Sequence, residues 1–192
     1  MKIAVIGNGN IGAGLNDALA RAGHDTATYG REYDLAAAIA GAEVVILATP
    51  FGAAPELAGQ ADFAGKLVVD LSNPVTADFS GLQLGHDRSA AEATAAALPG
   101  ATVVKAFNTI FAGHYASGLS INGTPLQTFV AADDAAAREK VMGLARDIGL
   151  TAVDAGPLKN ARYLEPLGFM NIQFGYVLGQ GADIAPQWQI AA

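Results

Sequence analysis

Residues 2–12 read KIAVIGNGNIG, which sets Gly7-x-Gly9-x-x-Gly12 between a short apolar run and a segment of helical spacing. Few patterns restrict a fold more. The run Lys2–Ile6 has the look of a buried parallel strand. Ile11, Leu15, Ala18, Leu19 and Ala22 then recur at helical spacing up to Gly23. A glycine turn between such a strand and helix matches the dinucleotide-binding fingerprint in its required context. Gly7 allows the tight turn, Gly9 lets the backbone approach a pyrophosphate, and Gly12 lets the helix pack on the strand. The N–H groups of Asn10, Ile11 and Gly12, with Asn8 in the turn, would then face the anion, helped by the helix dipole.

The rest of the chain repeats this strand–helix alternation. Apolar or β-prone runs at 25–29, 43–48, 66–70, 102–106, 128–132 and 151–154 read as strands. Helical patterns are expected at 11–22, 35–40, 52–61, 89–98 and 134–148, with a terminal helix over 160–178 that Pro166 and Gly168 disturb. Ser89 and Glu92 stand at capping-box spacing. The expectation is an α/β fold, a doubly wound and mostly parallel sheet ending in a short C-terminal helical segment. The chain has 192 residues, about what one core supports. We read 1–192 as a single dinucleotide-binding domain, with 156–192 completing the site or a dimer interface. Residues 71–88 form the one long irregular stretch, and long loops in such folds are often functional.

The second strand end bears on which dinucleotide binds. An NAD site usually places Asp or Glu there for the ribose hydroxyls. Here the strand ends Tyr29-Gly30-Arg31. Gly30 leaves room for a 2′-phosphate and Arg31 can neutralise it with charge-assisted hydrogen bonds; Glu32, if turned inward, would repel it. The preference expected is NADP(H). The carboxyl ends of the later strands, where open sheets bind ligands, carry Thr49-Pro50-Phe51, Leu71-Ser72-Asn73-Pro74 and Phe107-Asn108-Thr109. Each sets a small polar group beside an apolar one, as a nicotinamide ring needs. Asn73 and Asn108 also suit turns that satisfy their own backbone. Lys105 is read as a surface residue exposed by strand alternation, with a catalytic role as the competing reading.

Composition removes other chemistries. With no Cys there is no thiolate zinc site, iron–sulfur cluster, disulfide or Cys nucleophile. His24, His86 and His114 are scattered, so no metal site is expected. Eleven Lys and Arg stand against 18 Asp and Glu, a net charge of −7, which argues against nucleic acid. No apolar stretch reaches membrane-span length and no signal-peptide pattern opens the chain, so a cytoplasmic protein with no membrane partner is expected. The apolar segment Leu164–Leu178 suggests a homodimer.

Four blocks carry a resemblance: KIAVIGNGNIG (2–12), DRSAAE (87–92), VVKAFNT (103–109) and DAGPLKNARYLEPL (154–167). Together they resemble the NADP oxidoreductases that depend on the deazaflavin coenzyme F420, and the related NADPH-binding domain of membrane metalloreductases. The resemblance implies a single Rossmann-type domain. It implies NADP(H) over Gly7–Gly12 with the 2′-phosphate at Arg31, and a deazaflavin or flavin as second substrate against the nicotinamide. Pro50, Phe51, Asn73, Asn108, Thr109 and the 156–162 segment, with Pro157 and Leu158, would line that pocket. Hydride would pass directly between the rings with no catalytic side chain. The family's His-Thr pair at the fifth strand end is Asn108-Thr109 here, and its basic cluster is reduced to Arg31. Two other readings share these residues: an NADPH-dependent reductase of a small carbonyl or imine compound, and a non-enzymatic NADPH-binding sensor or partner subunit.

Overall fold

Every residue of Ile3–Ile6 is buried, and the side chains divide by alternation: Ile3 and Val5 enter one core, Ala4 and Ile6 the other. Burial on both faces is the mark of a parallel strand covered by helices. The computed structural model describes residues 1–189 and shows this strand inside the main sheet, between the second and third strands of the chain. β1 (Lys2–Ile6) is followed by α1 (Asn10–Arg21), β2 (Asp25–Tyr29), α2 (Leu35–Ala40), β3 (Val44–Leu47), α3 (Ala54–Ala58), β4 (Leu67–Asp70), α4 (Ala90–Ala97) and β5 (Thr102–Lys105). The five strands form one parallel sheet in the order β2-β1-β3-β4-β5. The order reverses between β1 and β3, the crevice where open sheets take ligands. The first core holds Leu15, Leu19, Ile46, Val69 and Leu144, the second Ile39, Val45, Phe63, Val68 and Leu98.

Local chemistry sets the helix starts. The Asp34 side chain accepts from Ala37 N at α2. At α4 the capping box expected from Ser89 and Glu92 forms in both directions.

The chain then departs from simple alternation. α5 (Ala112–Ser117) and a small antiparallel hairpin, β6 (Ser120–Ile121) with β7 (Thr124–Pro125), follow β5 and have no counterpart in the sequence reading. β8 (Gln127–Val130) and β9 (Thr151–Asp154), linked by α6 (Ala135–Asp147), pair with each other in parallel. They join the main sheet through an antiparallel bridge between Lys105 and Ala131, beside which Phe107 N donates to Thr128 Oγ1. The sheet is therefore mostly parallel, as expected, but not one continuous parallel ladder. A 3-10 turn at Leu158–Asn160 leads into α7 (Ala161–Ile172) and a π-helical turn at Gln173–Val177. The helical segment expected over 156–192 thus covers 158–177, and its residues 190–192 lie outside the described residues. Among the described residues no helix is long and apolar enough to cross a membrane. In the same range no cluster of three or more His, Asp or Glu side chains could hold a metal ion.

Candidate functional site

A cleft of about 780 Å³ runs along the carboxyl ends of the main strands. Its floor is the turn after β1. Gly7 adopts φ +112° there, and a Cβ on it would collide with the Ala48 carbonyl at the end of β3. A Cβ on Gly12 would collide with the Gly7 carbonyl. Both glycines are thus required by the protein's own packing. Gly9 is different. It has φ −71° and ψ 179°, extended backbone that any residue adopts, and a Cβ on it would meet nothing within 4 Å. Nothing inside the chain demands glycine at that position. α1 also starts without a side-chain cap. Its first turn donors therefore lack the partner that Asp34 and Ser89 provide elsewhere, the condition for anion binding.

Beyond the turn the lining comes from two groups of strand ends. One end is lined by Tyr29, Gly30, Arg31 and Tyr33 after β2, with Leu35, Glu56 and Leu57 opposite. Among the described residues Arg31 forms no salt bridge. The space beside Gly30 is not empty, however. A Cβ there would collide with the Glu32 carboxylate and with Asn8 Nδ2. The space expected for a phosphate is instead occupied by the inward-turned Glu32. Glu32 is surface-exposed, so its flexible end can swing away.

The other end is lined by Thr49, Pro50 and Phe51 after β3, Leu71, Ser72, Asn73, Val75 and Phe79 after β4, and Phe107, Asn108, Ile110 and Ala112 after β5, closed by Ile172 of α7. Asn73 and Asn108 are not self-contained turn residues. Asn73 Nδ2 donates to Asn108 O (2.8 Å), and Asn108 Nδ2 donates to Asn73 Oδ1 (2.9 Å) and Leu164 O (2.8 Å). The pair clamps the ends of β4 and β5 to α7. Gly168 of α7 lies directly over it, since a Cβ there would fall within 3 Å of both side chains. Among the described residues Asn108 Oδ1 is buried without a partner, as is Thr109 Oγ1. Phe107 and Phe79 both adopt left-handed backbone, φ +61° and +59°, unusual for non-glycine residues and often found at functional sites.

Of the residues singled out in the sequence, Gly7, Asn8, Gly9, Asn10, Ile11, Gly12, Gly30, Arg31, Thr49, Pro50, Phe51, Asn73 and Asn108 meet in this one cleft. Three others do not. Thr109 is buried behind Asn108, and Leu158 packs with Ala161 in the second core, so the 3-10 turn faces inward; Pro157 also lies outside the lining. His86, Asp87 and Arg88 are exposed away from the cleft.

The expected surface position of Lys105 is wrong. Its side chain is fully buried, with Nζ 2.9 Å from Asp70 Oδ1 and 2.9 Å from Glu165 Oε1, and bonded to Ser72 O as well. Strands in a doubly covered sheet have no solvent face, so alternation exposes nothing. Burial works to raise the Asp70 carboxyl, but the Lys105 charge and hydrogen bonds from Lys105, Thr94 and Ser72 outweigh it and hold the group below the ordinary aspartate range. Glu165 also accepts from Ala90 N (2.8 Å) and Ala91 N (3.1 Å) at the start of α4. A signal for this triad was present: Asp70 and Lys105 are polar ends of adjacent parallel strands and stand opposite each other in register. A second tie links the same helices. Arg162 of α7 donates twice to Glu92 of α4, and those bonds push the Glu92 carboxyl down to about 2.

The family model described as NADP oxidoreductase, coenzyme F420-dependent, matches residues 27–74, from β2 to the Asn73 loop. A protein of Arthrobacter sp. FB24 whose crystal structure is assigned as an F420-dependent NADP-reductase superposes over 100% of both chains with a TM-score of 0.87 and 29% identity. Over these residues and over its whole fold the chain is similar to F420-dependent NADP oxidoreductases. Hypothetical protein SMa0349 from Sinorhizobium meliloti is 26% identical with a TM-score of 0.73, covering 84% of this chain and 87% of its own. The rat metalloreductase STEAP3 is 35% identical over 131 residues, 68% of this chain. The chain spans about a quarter of that curated relative's own length, 26%.

Proposed function

We propose that this chain is a member of the F420-dependent NADP oxidoreductase family, an NADP(H)-dependent oxidoreductase that passes hydride directly between the nicotinamide and a flat aromatic acceptor of deazaflavin or flavin type. The observation that carries this reading is the lining of the inner end of the cleft. Arg31 and Glu56 are the charged residues of the lining, and both belong to the adenosine end. The inner end offers Thr49, Ser72, Asn73 and Asn108 among apolar groups, and no carboxylate, imidazole or ammonium. Reduction of a carbonyl or imine needs a proton delivered to oxygen or nitrogen as hydride arrives. A conjugated ring spreads the incoming electron pair over its own atoms and asks mainly for orientation and exclusion of water. Lys105, the nearest ammonium in sequence, is held by Asp70, Glu165 and Ser72 O behind the lining, where it cannot serve as that donor.

The residues present fit NADP(H). The open space over Gly9 and the uncapped start of α1 suit a diphosphate, and Arg31 suits a 2′-phosphate. When bound, NADPH supplies the hydride. The protein's part is to hold the two ends: Gly7–Gly12 seat the anion, Asn73 and Asn108 fix the strand ends, and Phe51, Val75 and Ile172 keep the inner end apolar. Turnover of NADPH with F420, FMN or FAD, followed by nicotinamide absorbance, is the expected result. Turnover with small carbonyl or imine compounds and none with the rings would overturn the reading.

Selectivity follows from Arg31 and Glu32. Arg31→Ala is expected to weaken NADPH about tenfold while changing NADH little, because a charge-assisted pair contributes about 1.5–3 kcal/mol and this one is exposed. Glu32→Gln is expected to tighten NADPH and leave NADH unchanged. Fluorescence titration of both nucleotides checks this, and equal effects on the two would contradict it.

The homodimer also belongs to this proposal. Met170, Phe174, Tyr176, Val177 and Leu178 are all exposed on α7 and the turn after it, an apolar row of the kind that interfaces cover. Light scattering at micromolar concentration should read a dimer; a monomer would count against it.

A further inference from the structure

Phe79 is the residue of the cleft that its own fold explains least. It sits at the tip of a small hairpin closed by an antiparallel bridge between Val75 and Leu82. It is 56% exposed, so its ring gains little from burial within the chain. Its backbone is left-handed, φ +59°, a conformation that costs a large L-residue energy where Gly or Asn would adopt it freely. The hairpin nevertheless enforces it. Asp78 Oδ1 accepts from Thr76 Oγ1 (2.7 Å) and Ser80 Oγ (2.8 Å), and Phe79 N donates to Thr76 O (2.9 Å). From outside the hairpin, Gln173 Nε2 donates to Phe79 O (3.0 Å), tying the tip to the turn after α7. An exposed aromatic ring and a strained backbone thus coincide at one residue, and that residue lines the inner end of the cofactor cleft beside Val75 and Ile172.

We infer that Phe79 is the platform on which the acceptor ring stacks, and so a determinant of which acceptors are used. This rests on the proposed function and deepens it. The cleft is continuous from the glycine turn to Phe79, so a second ring lying beyond the nicotinamide meets this side chain. The subsite has no charged lining, and it selects for a flat, conjugated heteroaromatic group over a small anionic or cationic substrate.

The test uses Phe79→Asn, whose side chain tolerates the left-handed backbone and keeps the hairpin, and Phe79→Tyr, which keeps the ring. F420 and FMN are titrated by fluorescence into wild type and both variants saturated with NADP⁺, and NADP⁺ is titrated separately. Phe79→Asn is expected to weaken ring binding about tenfold, the usual scale of an aromatic stacking contact. Its NADP⁺ affinity and thermal midpoint should hold at wild-type values or, for the midpoint, rise. Phe79→Tyr should restore ring binding to near wild type. Unchanged ring binding in Phe79→Asn, or an equal loss of NADP⁺ binding, overturns the inference and leaves the proposed reaction standing. Failure of wild type to bind either ring, with NADP⁺ binding intact, overturns both.

Discussion

Lys105→Met should lower the stability of this protein by about 3–5 kcal/mol, the cost of removing one partner from a buried ion cluster. Lys105 bridges Asp70 and Glu165, the one cation there among the described residues, and all three side chains are almost fully buried. Methionine fills similar volume but leaves two carboxylates facing each other's field in a poor dielectric. Glu165 would keep the Ala90 and Ala91 N–H groups, and Asp70 would keep Thr94 and Ser72, so the loss falls short of two bare charges. Urea unfolding followed by circular dichroism measures it. Adding Asp70→Asn to Lys105→Met should recover part of the loss, because neighbours in one network are not additive. A loss below 1 kcal/mol for Lys105→Met would show that the cluster does not hold the sheet to α7. The same variant releases the Ser72 carbonyl, which sits next to Asn73, so cofactor affinity should fall along with stability.

The second large effect separates binding from folding. Gly9→Val should leave the unfolding free energy within about 1 kcal/mol of wild type, the scale of losing a favourable residue at the α1 N-cap. Its backbone is ordinary and the space for a side chain is open. NADPH binding should fall at least 100-fold, because that space is where a diphosphate would lie against the backbone. Gly12→Val is the contrast: it strikes the Gly7 carbonyl and should cost stability as well. Calorimetry and nucleotide titration on the two variants check the pair. If Gly9→Val binds NADPH normally, the glycine turn is not the anion site.

What could be read from the chain follows from how local each signal is. The turn Gly7–Gly12, the strands β1, β3, β4 and β5 and the capping box of α4 are set by neighbours in sequence, and all appear where expected. The hairpin of β6 and β7 depends on two-residue strands that have no periodicity to detect. The inward Leu158 and the clamp from Asn108 to Leu164 join residues far apart, and they depend on where α7 docks. Alternation misplaces Lys105 because its strand has two buried faces. Its register partner Asp70 held the correction. Phe79 carried no signal at all: a left-handed backbone at a phenylalanine is a property of the folded loop alone.

The central claim is that two bound rings exchange hydride without a catalytic side chain between them. Label transfer tests it most directly. NADPH deuterated at the transferable C4 position is mixed with the protein and F420, and the reduced deazaflavin is analysed by mass spectrometry. The account predicts deuterium retained on a ring carbon of the product, one label per turnover, in ordinary water. Reduced deazaflavin without the label, or NADPH bound with no reduction of the ring, would contradict it.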